Sequence, residues 1–152
     1  MKKIYLSVPL QTNRNQNISK TIYQILQDLG CKVISSWVIW DDPNPNLNPM
    51  EIYQRDYEAI KACDLLIAEV TKPSTGVGME IMLASTFHKK IICLHKKSRL
   101  SNMIKGLPGI VIFHYKTKDD LKLFLKSEII YKNCNSINHR INKEEPTHLA
   151  RV

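Results

Sequence analysis

Two segments of this chain, Asp64-Leu65-Leu66-Ile67-Ala68 and Lys90-Ile91-Ile92-Cys93-Leu94, run apolar without interruption after a charged first residue. A strand with one face in water alternates apolar and polar residues, so an unbroken run belongs to a strand covered on both faces, as in a parallel sheet between helices. The flanking segments supply those helices. Ile18, Ile22, Ile25, Leu26 and Leu29 recur at helical spacing and are closed by Gly30. Asn48-Pro49 offers an N-cap with proline at the first helical position, opening a helix to about Ala62. A third helix is expected from roughly Gly78 to His88, and Leu121, Phe124, Leu125 and Ile129 mark a last one. Further strands are read at Ile4–Val8, Lys32–Ser36 and Ile110–Phe113, and Asp41–Asn46 has the chemistry of a loop.

Five strands alternating with helices imply an α/β chain, a single doubly wound flavodoxin-like (Rossmann-like) domain with a five-stranded parallel sheet and helices on both faces. In such a sheet the ligand sits beyond the strand C-termini, where the chain reverses its winding between the first and third strands. The loops to inspect are Pro9–Asn15 and Thr71–Val77. With 152 residues, 43% of them hydrophobic, the chain is the size of one compact domain, expected over residues 1–132. Residues 133–152 lose all periodicity and are expected to form a polar, loosely ordered tail.

Composition narrows the chemistry. No apolar run approaches the roughly 20 residues of a membrane helix, and the N-terminal residues pass straight into a strand-like segment without a cleavable signal pattern. Cys31, Cys63, Cys93 and Cys134 are scattered, and the first three lie in or beside apolar runs, as reduced thiols do. The expected location is therefore the cytoplasm. The five histidines show no metal spacing, so neither a metal nor another cofactor is expected, and the chemistry falls to carboxylates and hydroxyls. A net charge of +8 suits an anionic partner. A polynucleotide and a mononucleotide are both candidates, but the late lysines and arginines lack the interleaved aromatics of single-strand binders, and a solvated basic surface with a basic tail is the plainer reading.

The segment Pro73-Ser74-Thr75-Gly76-Val77-Gly78-Met79-Glu80 joins the third strand to the next helix at that rim. Gly76 and Gly78 would let the backbone approach a ligand, although a G-x-G turn also serves as an ordinary strand-to-helix connection. Glu80 shares a helical face with Leu83, Ala84 and Phe87, so a carboxylate stands in a stripe meant for the core. Placed in the first turn of a helix starting near Gly78, it would be kept ionised by the helix dipole, as suits a nucleophile; plain complementation of that dipole is the alternative. Asp56 lies in the same way with Tyr53, Tyr57 and Ile60, unless it is half of an ion pair with Arg55 or a lysine. Two inward acids are the usual equipment for glycosyl transfer through an oxocarbenium-like transition state. Asp64, at the start of a strand, reads as structural.

The stretch from Tyr53-Gln54-Arg55-Asp56 through Ala68-Glu69-Val70-Thr71-Lys72-Pro73-Ser74-Thr75-Gly76-Val77-Gly78-Met79-Glu80 to Ser101-Asn102-Met103-Ile104-Lys105 closely resembles the nucleoside 2-deoxyribosyltransferase superfamily, and within it the 2′-deoxynucleoside 5′-phosphate N-hydrolases. The resemblance implies that Glu80 attacks C1′ to give a glycosyl-enzyme, that Asp56 assists protonation of the base or holds the sugar, and that Tyr5 orients the nucleophile. It also implies phosphate binding by Ser74, where the transferases of unphosphorylated nucleosides carry an acid; a hydroxyl donates to phosphate and an acid would repel it. Ser101, followed by Asn102 and Met103 in the same loop, matches a serine that reaches into the other subunit's site, which implies a homodimer with shared active sites.

One departure stands out: the hydrolases' Gly-Ser-Ile-Arg loop is here Val8-Pro9-Leu10-Gln11, with Arg14 as the available replacement for the lost cation. Trp37 is placed to stack on the base or, equally, to serve as a core tryptophan. The function so implied is hydrolysis of a deoxynucleoside 5′-monophosphate to free base and 2-deoxyribose 5-phosphate. Base exchange through the same intermediate, hydrolysis of a ribonucleotide such as CMP, and a non-catalytic nucleotide-binding module are the alternatives.

Overall fold

A computed structural model describes residues 1–10, 16–40, 44–96 and 99–131. Five strands, β1 (Lys3–Ser7), β2 (Lys32–Val33), β3 (Leu65–Glu69), β4 (Lys90–His95) and β5 (Val111–His114), form one parallel sheet in the order β2-β1-β3-β4-β5. That is the flavodoxin-like winding, and it places the reversal between β1 and β3, where Tyr5 pairs with Leu66 and Ser7 with Ala68.

Side-chain alternation along the strands divides the interior into two layers. Ile4, Leu6, Val8, Ile67 and Leu94 pack with helices α1 (Gln16–Asp28) and α5 (Lys118–Lys126) on one face. Tyr5, Leu66, Ala68, Ile91 and Cys93 pack with α2 (Pro49–Ala62) and α3 (Thr75–Thr86) on the other. Every residue of β3 is buried, as its unbroken apolar run requires. Cys31, Cys63 and Cys93 are buried free thiols whose pKa values burial raises. Among the described residues no helix is long and apolar enough to cross a membrane.

The helix ends follow local chemistry. Asn48 caps α2 by accepting from the Met50 and Glu51 amides at 2.9 and 3.0 Å, and Glu51 returns the bond to the Asn48 amide at 2.8 Å. Such a reciprocal cap is worth about 1 kcal/mol. Gly30 closes α1 at φ +73, a left-handed conformation that glycine adopts without a Cβ clash. Asp64 is structural: its carboxylate accepts from the Lys3 amide at 2.7 Å.

Four expectations need correction. β2 ends at Val33 rather than Ser36, because the Ser35 hydroxyl hooks onto the backbone of Leu6 at 2.8 and 2.9 Å and the chain turns into a 3-10 turn, Ser36–Val38. α3 starts at Thr75, three residues before Gly78, since Ser74 supplies the N-cap. The loop after β4 contains a short helix, α4 (Asn102–Gly106), too brief to show a period in sequence. Beyond α5 the chain continues in a π-helical turn, Ser127–Tyr131, whose Glu128 pairs with Lys90 at 2.9 Å.

Candidate active site

Tyr5 and Ser7 are two residues apart on β1, so both side chains leave the sheet on the face covered by α2 and α3. Glu80, in the second turn of α3, meets them at the C-terminal edge of the sheet. The Tyr5 phenol donates to Glu80 Oε1 at 3.0 Å and the Ser7 hydroxyl donates to Oε2. Both donors are fully buried.

Glu80 also lines a cavity of about 370 Å³ between α2 and α3, within the size range of small-ligand sites. Asp56, Tyr53, Tyr57, Gly76 and Met79 share its lining. Asp56 is ion-paired to its neighbour, Arg55 Nε to Oδ1 at 3.1 Å, with both side chains 21% exposed. The Arg55 guanidinium lies 4.3 Å from the centre of the Trp37 ring, and Trp37 meets Tyr5 edge-on at 6.4 Å. Trp37 thus lies between Tyr5, a partner of Glu80, and Arg55, a partner of Asp56.

The helix-dipole account of Glu80 does not survive. Because α3 begins at Thr75, its first turn holds no acid and Glu80 stands beyond the turn where the dipole acts. Burial dominates instead and pushes the Glu80 pKa up to about 7, with bonds from Ser7 and Tyr5 and the Arg55 charge pulling it down and Asp56 adding to the rise. Burial and the nearby Glu80 charge raise the Tyr5 pKa, so the phenol keeps its proton and remains a donor.

The other sequence candidates are placed less uniformly. Ser74 accepts from the Val77 amide at 3.4 Å as the cap of α3. Gly76 and Gly78 are helical residues of α3 without positive φ, not a loop cradle, and Gly76 lines the cavity. Ser101 precedes α4 without making a side-chain cap, while Asn102 and Met103 form its first turn, Met103 being 83% exposed; none of the three lines the cavity of its own chain. Trp37 is partly buried against both core layers, with one face given to Arg55. Leu10 is exposed, and Gln11 and Arg14 lie outside the described residues, as does the tail from residue 132. Among the described residues no three His, Cys, Asp or Glu side chains converge on a metal position.

Ser7 is a neighbour of Glu80 that the sequence analysis passed over, and a hydroxyl two residues beyond Tyr5 on a buried strand was the available signal. The ion pair of Asp56 with Arg55, named there as the alternative for Asp56, is present.

Known proteins resemble this chain in sequence and in fold. Two archaeal relatives each carry the name "Putative 2'-deoxynucleoside 5'-phosphate N-hydrolase 1". That of Thermofilum pendens is 35% identical over 112 residues, covering 71% of this chain and 78% of the relative. That of Methanosarcina mazei is 35% identical over 129 residues, 80% of each. Among solved structures, a CMP N-glycosidase of Clostridium botulinum superposes with a TM-score of 0.63 at 27% identity, over 82% of this chain and 98% of the other. The family model described as nucleoside 2-deoxyribosyltransferase matches residues 4–133, from the first strand past the last helix. The chain belongs to the nucleoside 2-deoxyribosyltransferase family.

Proposed function

We propose that this protein is a nucleotide N-glycosidase that hydrolyses 2′-deoxynucleoside 5′-monophosphates to a free base and 2-deoxyribose 5-phosphate. The observation that carries the reading is Glu80, a carboxylate held by two hydroxyls at the wall of a ligand-sized cavity that it shares with Asp56. A Glu80 oxygen attacks C1′ of the sugar, the C1′–N bond breaks, and its electron pair leaves with the base. Asp56 relays a proton to the departing base or holds a sugar hydroxyl. Water then attacks C1′ of the ester, passing its proton to a cavity carboxylate and returning Glu80 to its free form.

The names of the archaeal relatives favour the deoxynucleotide, while the likeness to a CMP N-glycosidase keeps the ribonucleotide as a second reading. Incubation with paired deoxyribo- and ribonucleoside monophosphates, nucleosides and a second free base, resolved by chromatography, separates hydrolysis from base exchange and one sugar from the other. Release of no base from any monophosphate defeats the reading.

Phosphate recognition falls to Ser74 and the first loop, with Ser101 arriving from a second copy. The apolar exposure of α2 and α3 supports such a homodimer: Met50, Ile52, Tyr53, Met79 and Met82 are exposed large apolar side chains, and Tyr53, Met79 and Met82 also line the mouth between the two helices that a second copy would border. Ser101→Ala is expected to weaken discrimination in favour of the monophosphate by roughly ten- to a hundredfold, the worth of one hydrogen bond to a charged group. Mixing Ser101→Ala with Glu80→Gln subunits re-creates one site with both residues intact, and that site is expected to recover near-native behaviour. A hybrid without recovery, or a monomer in sedimentation, removes the shared site.

A further inference from the structure

We infer that Ser7 is a second positioning residue for Glu80: its hydroxyl holds Oε2 as the Tyr5 phenol holds Oε1, so two donors from one strand fix the plane of the reacting carboxylate. The inference rests on the reading of Glu80 as nucleophile and adds to it a residue of this chain.

Ser7 ends a strand whose preceding residues Ile4, Tyr5 and Leu6 are apolar or aromatic, and it is fully buried. A buried hydroxyl is costly unless it is hydrogen-bonded, so its presence requires a partner, and Glu80 Oε2 is that partner. The sheet is built to let the carboxylate in. Ser7 pairs with Ala68 and Ala68 with Cys93, so a row of small residues crosses β1, β3 and β4 beneath α3. The row before it, Tyr5, Leu66 and Ile91, is large. The space below α3 is thus widest where Glu80 comes down to the sheet.

The geometry also explains why one donor does not suffice. The terminal torsion of a glutamate is broad, and a carboxylate held at one oxygen swings about its last bond. Donors on both oxygens remove that freedom, which matters for a nucleophile that must present a lone pair to C1′ within a narrow cone. Both bonds also favour the charged form against burial, and the bond from Ser7 is the larger of the two.

The test follows Glu80 directly. In protein carrying ¹³C-carboxyl glutamate, the Glu80 resonance is identified by its loss in Glu80→Gln, and its titration is compared between native protein and Ser7→Ala. The expected result is a midpoint raised by about one pH unit or more, the equivalent of a hydrogen bond to a charged group. It should be accompanied by a fall in kcat of roughly ten- to a hundredfold and a KM within about threefold. Ser7→Cys, close in size and a weak donor, should move the midpoint the same way by less, and it carries the test if Ser7→Ala does not fold. An unmoved midpoint overturns the inference whatever Glu80 does in catalysis. A raised midpoint with native kcat above it overturns the positioning role. Full activity in Glu80→Gln removes the nucleophile alone, and the titration still decides whether Ser7 holds the carboxylate.

Discussion

Two glutamates in this protein are each held by a tyrosine and a small hydroxyl, Glu80 at both of its oxygens and Glu69 at Oε1 alone. Glu80 receives the Tyr5 phenol and the Ser7 hydroxyl; Glu69, the last residue of β3, receives the Tyr115 phenol at 3.2 Å and the Thr71 hydroxyl, with the Thr71 amide at 3.3 Å. They differ in what lies on the remaining side. Glu69 is 5% exposed and faces its own loop, and Thr71 Oγ1 accepts the Lys96 amide at 3.0 Å, tying the end of β3 to the end of β4. Glu80 faces a cavity it shares with a second acid. The same donor types thus serve two arrangements: three donors gathered on one oxygen tie Glu69 into a loop, whereas one donor on each oxygen fixes the plane of a carboxylate that lines a cavity.

The largest expected effect separates the pair by turnover. Glu80→Gln preserves shape but cannot form the glycosyl ester, so kcat should fall more than about a hundredfold with substrate binding retained. Glu69→Gln should keep kcat within a few-fold of native. Comparable losses in both variants, measured by base release, would erase the distinction between clamp and nucleophile.

Stability against pH sharpens the contrast. The folded-state pKa of Glu80, about 7, lies above the 4.5 of an exposed glutamate. Between those values the native state holds a proton that the unfolded chain has lost, so this contribution to stability is full below about pH 4.5 and gone above about pH 7. Glu80→Gln, neutral at every pH, should be more stable than native protein at pH 8 by up to about 3 kcal/mol and equal to it near pH 4. Glu69→Gln should show no such gain at pH 8, because its three donors all meet Oε1 and an amide oxygen can take that place. Urea unfolding of the three proteins at both pH values gives the answer, and a Glu80→Gln variant no more stable at pH 8 contradicts the burial account.

Asp56 belongs with Glu80 only if it touches the reaction. Asp56→Asn is expected to slow hydrolysis by about tenfold or more with poor leaving bases and to be partly rescued by activated ones, in keeping with general acid catalysis. Uniform losses across bases of different leaving ability would assign Asp56 to the sugar.

Some of this was legible in the chain and some was not, for physical reasons. The start of α2 at Asn48-Pro49 was readable because capping is local chemistry. The unbroken run of β3 announced a two-sided burial that the structure repeats. The start of α3 was misplaced because Gly76 and Gly78 read as loop residues, while the bond from the Val77 amide to Ser74 lets the helix begin before them. That three-residue error carried the dipole argument for Glu80 with it. The partnerships of Glu80 with Ser7 and of Glu69 with Tyr115 join residues 73 and 46 positions apart, and no local pattern encodes them.

The smallest expected effect compares the two phenols. Tyr115→Phe removes a hydroxyl that bonds only within the Glu69 clamp, so it should cost about 1 kcal/mol of stability and leave kcat and its pH dependence unchanged. Tyr5→Phe removes one of the two donors that favour ionised Glu80, so the pH at which kcat/KM reaches half its plateau should move above about 7 while the fold persists. The direction follows from the chemistry: the nucleophile must be ionised, activity rises as pH passes its pKa, and a lost donor to the anion raises that pKa. Equal pH profiles for native protein and Tyr5→Phe would place the Tyr5 phenol with the structural clamp, leaving the Ser7 bond to Oε2 and access to the cavity as the features that set Glu80 apart.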